Sequence, residues 1–145
     1  MLIITLSYLN PYFRPFVFLK APDSIKKEDL NQIPFLMQMY DTGFFKHMFA
    51  TIRTANLMFE IPSEYSRTKK EHLLISIITD DKSKFNTSLT QELLEGFVEE
   101  FKKIDSAYKA FYINSEIYNG DLNKFIEIKK LVDTFYTTFP KKDVI

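Results

Sequence analysis

The side chains most often used for catalysis or metal binding are scarce in this chain, which has two histidines and no cysteine. His47 lies in an apolar run between Lys46 and Met48, and His72 follows Glu71 at the start of another such run. A zinc site needs several ligands at spacings that let them converge, and neither an H-x-x-E nor an H-x-H pattern occurs. We therefore expect both histidines to be structural or surface residues, and we expect no metal site.

No motif for phosphate binding or nucleophilic catalysis is present. The chain has only three glycines, and neither G-x-x-x-x-G-K-[ST] nor G-x-G-x-x-G occurs. Ser63 and Ser66 flank Glu64, but the G-x-S-x-G turn that exposes a nucleophilic serine is missing. Asp80 and Asp81 follow a strand-like run, where a calcium loop would need more oxygen ligands and a glycine turn. The sequence therefore predicts a non-enzymatic protein without a cofactor.

The charge balance argues against a nucleic acid partner. Lys and Arg number 19, as do Asp and Glu, whereas nucleic-acid-binding domains need a basic surface. One basic loop, "SRTKK", contains Arg67, Lys69 and Lys70, which could contact an acidic partner or a lipid headgroup. Glu64 and Glu71 flank this loop, and recognition of lipids usually needs about four to eight clustered cations, so we interpret it as a solvated loop.

The apolar N-terminus predicts neither a membrane span nor a signal peptide. The run "MLIITLSYL" has no basic residues before it and ends at Asn10-Pro11, whereas a spanning helix needs about 20 apolar residues. The absence of cysteine is compatible with a reducing cytosol. We therefore expect a cytoplasmic protein that does not insert into a membrane.

The opening stretch predicts a β-hairpin whose faces are both covered. Two apolar runs, "LIITLSYL" (2–9) and "PFVFLKA" (15–21), are joined by a turn that begins at Asn10-Pro11. One face of the first run carries Leu2, Ile4, Leu6 and Tyr8, and the other carries Ile3 and Leu9. Apolar residues on both faces indicate that other elements pack on each side of the hairpin.

A helical segment follows, for which Asp23 and Ser24 are suitable caps. Pro34 either starts a second helical piece or kinks the first. Within residues 33–40, one helical face carries Ile33, Leu36, Met37 and Tyr40, and the opposite face carries Phe35 and Met39. A lone surface helix needs only one apolar stripe, so the pattern predicts burial on both sides. The alternative is that Pro34 redirects the segment and both Phe35 and Met39 pack internally.

Three strand-like runs and two helices complete the chain. The runs are 44–52, 55–61 and 71–79, the helices are 89–104 and 122–139, and residues 105–119 remain unassigned. Arg53-Thr54 is predicted as a tight turn between the first two runs. Ser88 and Gln91 predict a capping box for the first helix, and Asp121 caps the last.

The order of these elements predicts the fold class. Short connections between the three later strands favour antiparallel pairing, and five strands with apolar residues on both faces need helices on both sides. We expect one α+β domain over residues 1–145, with its core in 1–139. Its architecture would be a three-layer α/β/α sandwich with a five-stranded antiparallel sheet and the order β-β-α-β-β-β-α-α.

Two stretches carry a resemblance to a known family. The stretch "LSYLNPYFRPFVFLKAP" resembles the opening hairpin of longin domains in regulators of nutrient-sensing GTPases, with Arg14-Pro15 where Gly-Pro is usual and Pro22 at the end of the second strand. The run "ANLMFEIPSEYSRTKKEHLLISIIT" is similar to longin-like proteins predicted in archaea that have many small GTPases. The element order also resembles a longin domain, a relative of the roadblock and profilin-like folds.

This resemblance implies a protein-interaction domain that dimerises and serves as a platform for small GTPases or membrane-traffic complexes. The partner would be a second copy or another longin or roadblock protein. The residues expected at this surface are Phe35, Met39, Phe44, Lys46, Met48 and Arg53. Two other functions stay open: a profilin-like actin-binding module that uses the closing helices, and a small-molecule sensor with a pocket between sheet and helix.

Overall fold

The computed structural model describes residues 1–10, 14–80, 82 and 84–145. The strands are β1 (Leu2–Leu9), β2 (Phe16–Ala21), β3 (Gly43–Met48), β4 (Ile52–Pro62) and β5 (Lys70–Asp80). The α-helices are α1 (Thr87–Lys102), α2 (Leu122–Thr138) and α3 (Lys141–Val144), and the 3₁₀ helices are η1 (Lys27–Leu30), η2 (Pro34–Gln38) and η3 (Ala107–Tyr112). The expected turn residue Pro11 and the expected strand end at Asp81 lie outside the described residues.

The five strands form one antiparallel sheet in the order β2-β1-β5-β4-β3. The prediction of an α+β protein with a five-stranded antiparallel sheet and helices packed on it is therefore confirmed. Within the described residues, no helix has the length and apolar character needed to cross a lipid bilayer.

One face of the sheet packs against the α-helices and η3 through a large apolar cluster. Every second residue of the central strands points into it, as in β5, where Leu73, Ile75 and Ile77 are fully buried. Helix α1 contributes Phe101, and the cluster continues to Val144 in α3. This face contains the larger share of the apolar core.

The opposite face is covered by the two short 3₁₀ helices between β2 and β3. One small cluster joins Leu30 and Ile33 to the sheet, and a second joins Leu36 and Met37 to it. Pro34 is the first residue of η2, where its missing N–H costs nothing because that position has no helical acceptor. The two pieces are four and five residues long, the length at which 3₁₀ turns commonly serve as connectors.

A row of polar side chains separates these two small clusters. Thr5 on β1 lies opposite Ser76 on β5, which in turn lies opposite Asn56 on β4. All three are fully buried, as is Ser7, two residues along β1. A side-chain oxygen of each has no hydrogen-bond partner among the described residues, whereas the amide of Asn56 donates to Thr54 and to the Phe45 carbonyl. The 3₁₀ layer therefore rests on a partly polar sheet face.

The turn predicted at Arg53-Thr54 is wrong. The β3–β4 hairpin turns at Ala50 and Thr51, and the N–H of Phe49 donates to the Ile52 carbonyl at 2.9 Å. Arg53 lies opposite Met48 within the ladder. The β-branched residues around Arg53 are suited to a strand, whereas Ala50 and Thr51 are small enough for the tight connection.

The predicted helix caps are only partly correct. Helix α1 is capped by Asn86, whose side chain accepts from the N–H of Leu89, so Ser88 and Gln91 lie inside the helix. The Gln91 amide bonds to Glu95 one turn later instead of to a capping position. Asp121 caps α2 as expected, by accepting from the N–H of Asn123.

The caps expected for the segment after β2 are wrong. The first helical piece is preceded by Lys26, which makes no side-chain cap, so neither Asp23 nor Ser24 caps it. The previously unassigned residues 105–119 contain η3, which packs against α2.

Replacing Thr5 with valine tests the polar row. The Thr5 hydroxyl is buried without a partner in the described structure, and valine has the same shape. We expect Thr5→Val to leave the free energy of unfolding unchanged or to raise it by about 1 kcal/mol, measured by urea denaturation. Thr54→Val is the matched control, because it removes bonds to His47 and Asn56 and should cost about 1–3 kcal/mol. Equal losses in both variants would contradict this description of the row.

Candidate functional site

The free edge of β3 is the first candidate site. No described strand pairs with its outer side. Phe49 and Ile52 form a hydrogen-bonded pair at the hairpin end, and such pairs alternate along an antiparallel ladder. The backbone N–H and C=O groups of Phe44, Lys46 and Met48 therefore point outward, towards any additional strand.

The side chains of four expected surface residues lie on the α-helical side of this edge. Phe44 packs against the large apolar cluster, and the Lys46 ammonium donates to the Thr87 hydroxyl at 2.9 Å. Met48 is 61% exposed and lies opposite Arg53. The cation of Lys46 is thus directed towards the start of α1 and away from the outer side of β3.

The other two expected residues lie on the 3₁₀ side. Phe35 is 39% exposed and Met39 is 62% exposed, so neither packs fully within its own chain. The next residue, Tyr40, stacks on Phe45 with ring centroids 3.8 Å apart, and its hydroxyl bonds to His47 at 2.8 Å. The end of η2 is thereby held against β3. The structure places Phe44, Lys46, Met48 and Arg53 at the β3 edge on the α-helical side, whereas Phe35 and Met39 lie in the 3₁₀ layer on the other side of the sheet.

The edge formed by β2 differs from the β3 edge. The β1–β2 register shifts between Leu6 and Ser7, and such irregularities discourage further pairing. Phe18 on β2 packs against Phe125 on α2, with ring centroids 5.6 Å apart. Lys129 of α2 also forms an ion pair at 3.2 Å with Asp23, just beyond the strand. The β3 edge is the more open of the two.

A buried carboxylate forms a second notable feature. Glu71 is 1% exposed, and three hydroxyl groups donate to its carboxylate. Tyr8 donates to Oε1 at 2.8 Å, and Ser63 and Tyr112 donate to Oε2 at 2.5 and 2.8 Å. No described Lys, Arg or His forms an ion pair with Glu71. These bonds tie β1, the β4–β5 loop and η3 together at one end of the sheet.

The three hydroxyl groups also fix the surrounding loops. Ser63 accepts from the N–H groups of Tyr65 and Ser66, each at 3.2 Å. The Tyr65 ring stacks on Tyr118 at 4.7 Å and meets Tyr108 edge-on at 5.0 Å. The loop after β4 is therefore packed against the whole segment that follows α1.

The pKa values of the two tyrosines at Glu71 are raised above the ordinary value near 10. Burial is the largest cause for Tyr8, followed by the negative charge of Glu71 and the hydrogen bond to it. Burial also leads for Tyr112, followed by its hydrogen bond to Glu71. Burial and the interaction with Glu71 both disfavour the phenolate form, so the two hydroxyls stay protonated and act as hydrogen-bond donors.

Sequence reasoning missed this carboxylate, although a signal for it was present. Alternation along β5 places Glu71 on the face of Leu73 and Ile75, where an acidic residue is costly without donors. The partner Tyr8 was correctly placed on the apolar face of β1. The two histidines lie on the opposite face, where His72 meets Glu60 at 3.7 Å.

No protein-family model matches the chain, and no curated protein is significantly similar to it in sequence.

The buried tyrosines predict that stability falls at alkaline pH. Their raised pKa values mean that the folded state keeps protons that the unfolded state loses, so this stability is complete below about pH 10 and declines above it. Each such group contributes a slope of about 1.4 kcal/mol per pH unit. We expect Tyr8→Phe to make the decline between pH 10 and 11 shallower by about this amount, measured by urea denaturation. If the free energy of unfolding declines equally steeply with pH in the unmodified protein and in Tyr8→Phe, the assignment of this decline to Tyr8 is refuted.

Proposed function

We propose that this chain is a non-enzymatic interaction domain of the longin-like kind. It forms a dimer through the edge of β3 and acts in the cytoplasm as a platform for small GTPases or membrane-traffic complexes. The observation that carries the proposal is the open β3 edge with its outward backbone groups at Phe44, Lys46 and Met48. The element order and the helical segments on both faces of the sheet support a three-layer longin-like arrangement.

The β3 edge is suited to pairing with the β3 edge of a second copy of the chain. A two-fold axis perpendicular to the sheet would pair the two β3 strands antiparallel and give each outward N–H and C=O group a partner. Lysine at a sheet edge often opposes such pairing, but here the Lys46 ammonium is held by Thr87. Met48 on β3 and Met39, next to the Tyr40 that stacks on Phe45, are exposed, as is Phe35 on the 3₁₀ layer, and we expect all three to lose contact with water on association. A related longin or roadblock chain would use the same edge.

A profilin-like module that acts as a monomer is the second candidate. An exposed apolar patch on the side of the closing helices favours it, made up of Ile113, Ile117, Tyr118, Leu122 and Ile126. Pull-down with actin and with small GTPases loaded with GDP or GTP distinguishes the candidates. Retention of a GTPase supports the first, and retention of actin alone supports the second.

Lys46→Pro tests pairing at the β3 edge. Proline removes the outward N–H of residue 46 but none of the hydrogen bonds between β3 and β4, and it is tolerated at a sheet edge for that reason. We expect the unmodified protein to sediment as a dimer at micromolar concentration and Lys46→Pro to sediment as a folded monomer.

Lys46→Ala is the matched control, because it keeps the N–H and should remain a dimer. Circular dichroism confirms that each variant is folded. A monomeric unmodified protein at micromolar concentration would refute the proposal, as would a Lys46→Pro protein that remains dimeric.

The double variant Phe35→Asp with Met39→Asp tests the 3₁₀ side of the same surface. Both side chains are partly exposed, so carboxylates there should leave the core intact. We expect a soluble monomer, because association would bury the two charges. Light scattering behind a sizing column measures the mass. A dimer of unchanged mass would exclude these residues from the interface while leaving the edge itself untouched.

A further inference from the structure

A cleft of about 440 Å³ opens between the end of β4 and the segment that follows α1. Its apolar lining comes from Ile61 in β4, Phe101 in α1, and Ile104, Ala107 and Tyr108 beyond α1. The volume lies in the range of small-molecule pockets. The cleft is at the opposite end of β4 from the β3–β4 turn, so it is separate from the turn end of the proposed dimer edge.

Four charged side chains line the same cleft, two of each sign. They are Glu64, Lys69, Lys102 and Asp105. None of them forms an ion pair with another described residue, although ion pairs such as Lys70–Glu60 and Lys129–Asp23 occur elsewhere. Glu64 accepts a hydrogen bond from the Tyr108 hydroxyl at 3.2 Å. Balanced but unpaired charges around an apolar surface are suited to a ligand that carries both charges itself.

The backbone at the cleft is held in an unusual conformation. Lys69 and Ser106 have φ values of 65° and 52°, and among the described residues they are the only non-glycine residues with positive φ. Both line the cleft. Such conformations cost free energy and tend to occur where function requires them. Hydrogen bonds from Lys69 N–H to Ser66 and from Ser63 N–H to Lys69 hold the first of them in place.

The walls of the cleft are also preorganised. Ser63 lines it and donates to the buried Glu71. Tyr108 is fixed by Tyr65 on one side and by Glu64 at its hydroxyl. A site that is already ordered loses less entropy when a ligand binds.

We propose that this cleft binds a small zwitterion with an apolar body, the chemistry of a free α-amino acid with an apolar side chain. The ammonium group faces Glu64 and Asp105. The carboxylate faces Lys69 and Lys102. The apolar body packs against Ile104 and Pro62, the apolar lining residues that reach the surface. This site does not depend on the proposed dimer.

Three probes test the proposal by isothermal titration calorimetry on the full chain. L-phenylalanine carries both charges, phenethylamine lacks the carboxylate, and 3-phenylpropionate lacks the ammonium. We expect L-phenylalanine to bind at least about tenfold more tightly than either analogue, since each lost charged contact is worth about a factor of ten or more.

Variants that each remove one charge show which side chain contacts the ammonium of the ligand and which contacts its carboxylate. Glu64→Gln should weaken L-phenylalanine and phenethylamine but not 3-phenylpropionate, and Lys102→Gln should weaken L-phenylalanine and 3-phenylpropionate but not the amine. The matched controls for Glu64→Gln and Lys102→Gln are Glu116→Gln and Lys26→Gln, at exposed positions outside the cleft, and these should change nothing. The proposal is overturned if no probe binds at millimolar concentration, if phenethylamine binds as tightly as the amino acid, or if the two cleft variants bind like the controls.

Discussion

The pairing of β4 with β5 is the interaction on which the rest of the structure depends. The two strands match residue for residue from Ile52 opposite Asp80 to Pro62 opposite Lys70. Because β5 also pairs with β1, and β4 with β3, this ladder joins the two halves of the sheet. It leaves β3 at an edge and brings the end of β4 to the cleft, while the β1–β5 ladder places Glu71 near Tyr8. Both proposed surfaces are therefore consequences of one antiparallel contact.

The two faces of the sheet differ in how polar their buried side chains are. The α-helical face carries the large apolar cluster, and its buried carboxylate, Glu71, is satisfied by three hydroxyls. The other face carries the row from Thr5 to Asn56, under helices only four and five residues long. Short 3₁₀ helices bury little area, and a polar sheet face gains little from being covered. The segment between β2 and β3 is thus held mainly by its apolar contacts at either end of the row and by Tyr40 on β3.

Strand β4 takes part in both candidate surfaces. Its first part pairs with β3, which begins at Gly43 opposite Met58, and its last part, from Ile61, lines the cleft. Beyond Met58, β4 has only β5 as a neighbour. The strand is therefore long enough to carry an interaction edge and a separate pocket without either using the residues of the other.

The sequence by itself determined the elements whose local pattern is strong. The alternation of apolar residues defined β1 as residues 2–9, and Asp121 marked the start of α2. These predictions succeed because a strand face or a helix cap depends on residues only a few positions apart. The turn prediction at Arg53-Thr54 failed because the observed turn lies three residues earlier, at Ala50 and Thr51, and the sequence has no glycine or proline there to mark it. The capping box failed because Asn86, two residues earlier, provides an equivalent oxygen.

Only the tertiary structure decided which residues far apart in the chain meet. The six expected surface residues were treated as one patch, but four of them lie on the α-helical side of β3 and β4, whereas Phe35 and Met39 lie in the 3₁₀ layer on the other side of the sheet. Nothing local indicates that Glu71 meets Tyr8 and Tyr112, 63 and 41 residues away. The same holds for the cleft, whose charges come from the β4–β5 loop and from the end of α1. Local spacing sets the face of each element, whereas contacts between elements follow from how the sheet is ordered and covered.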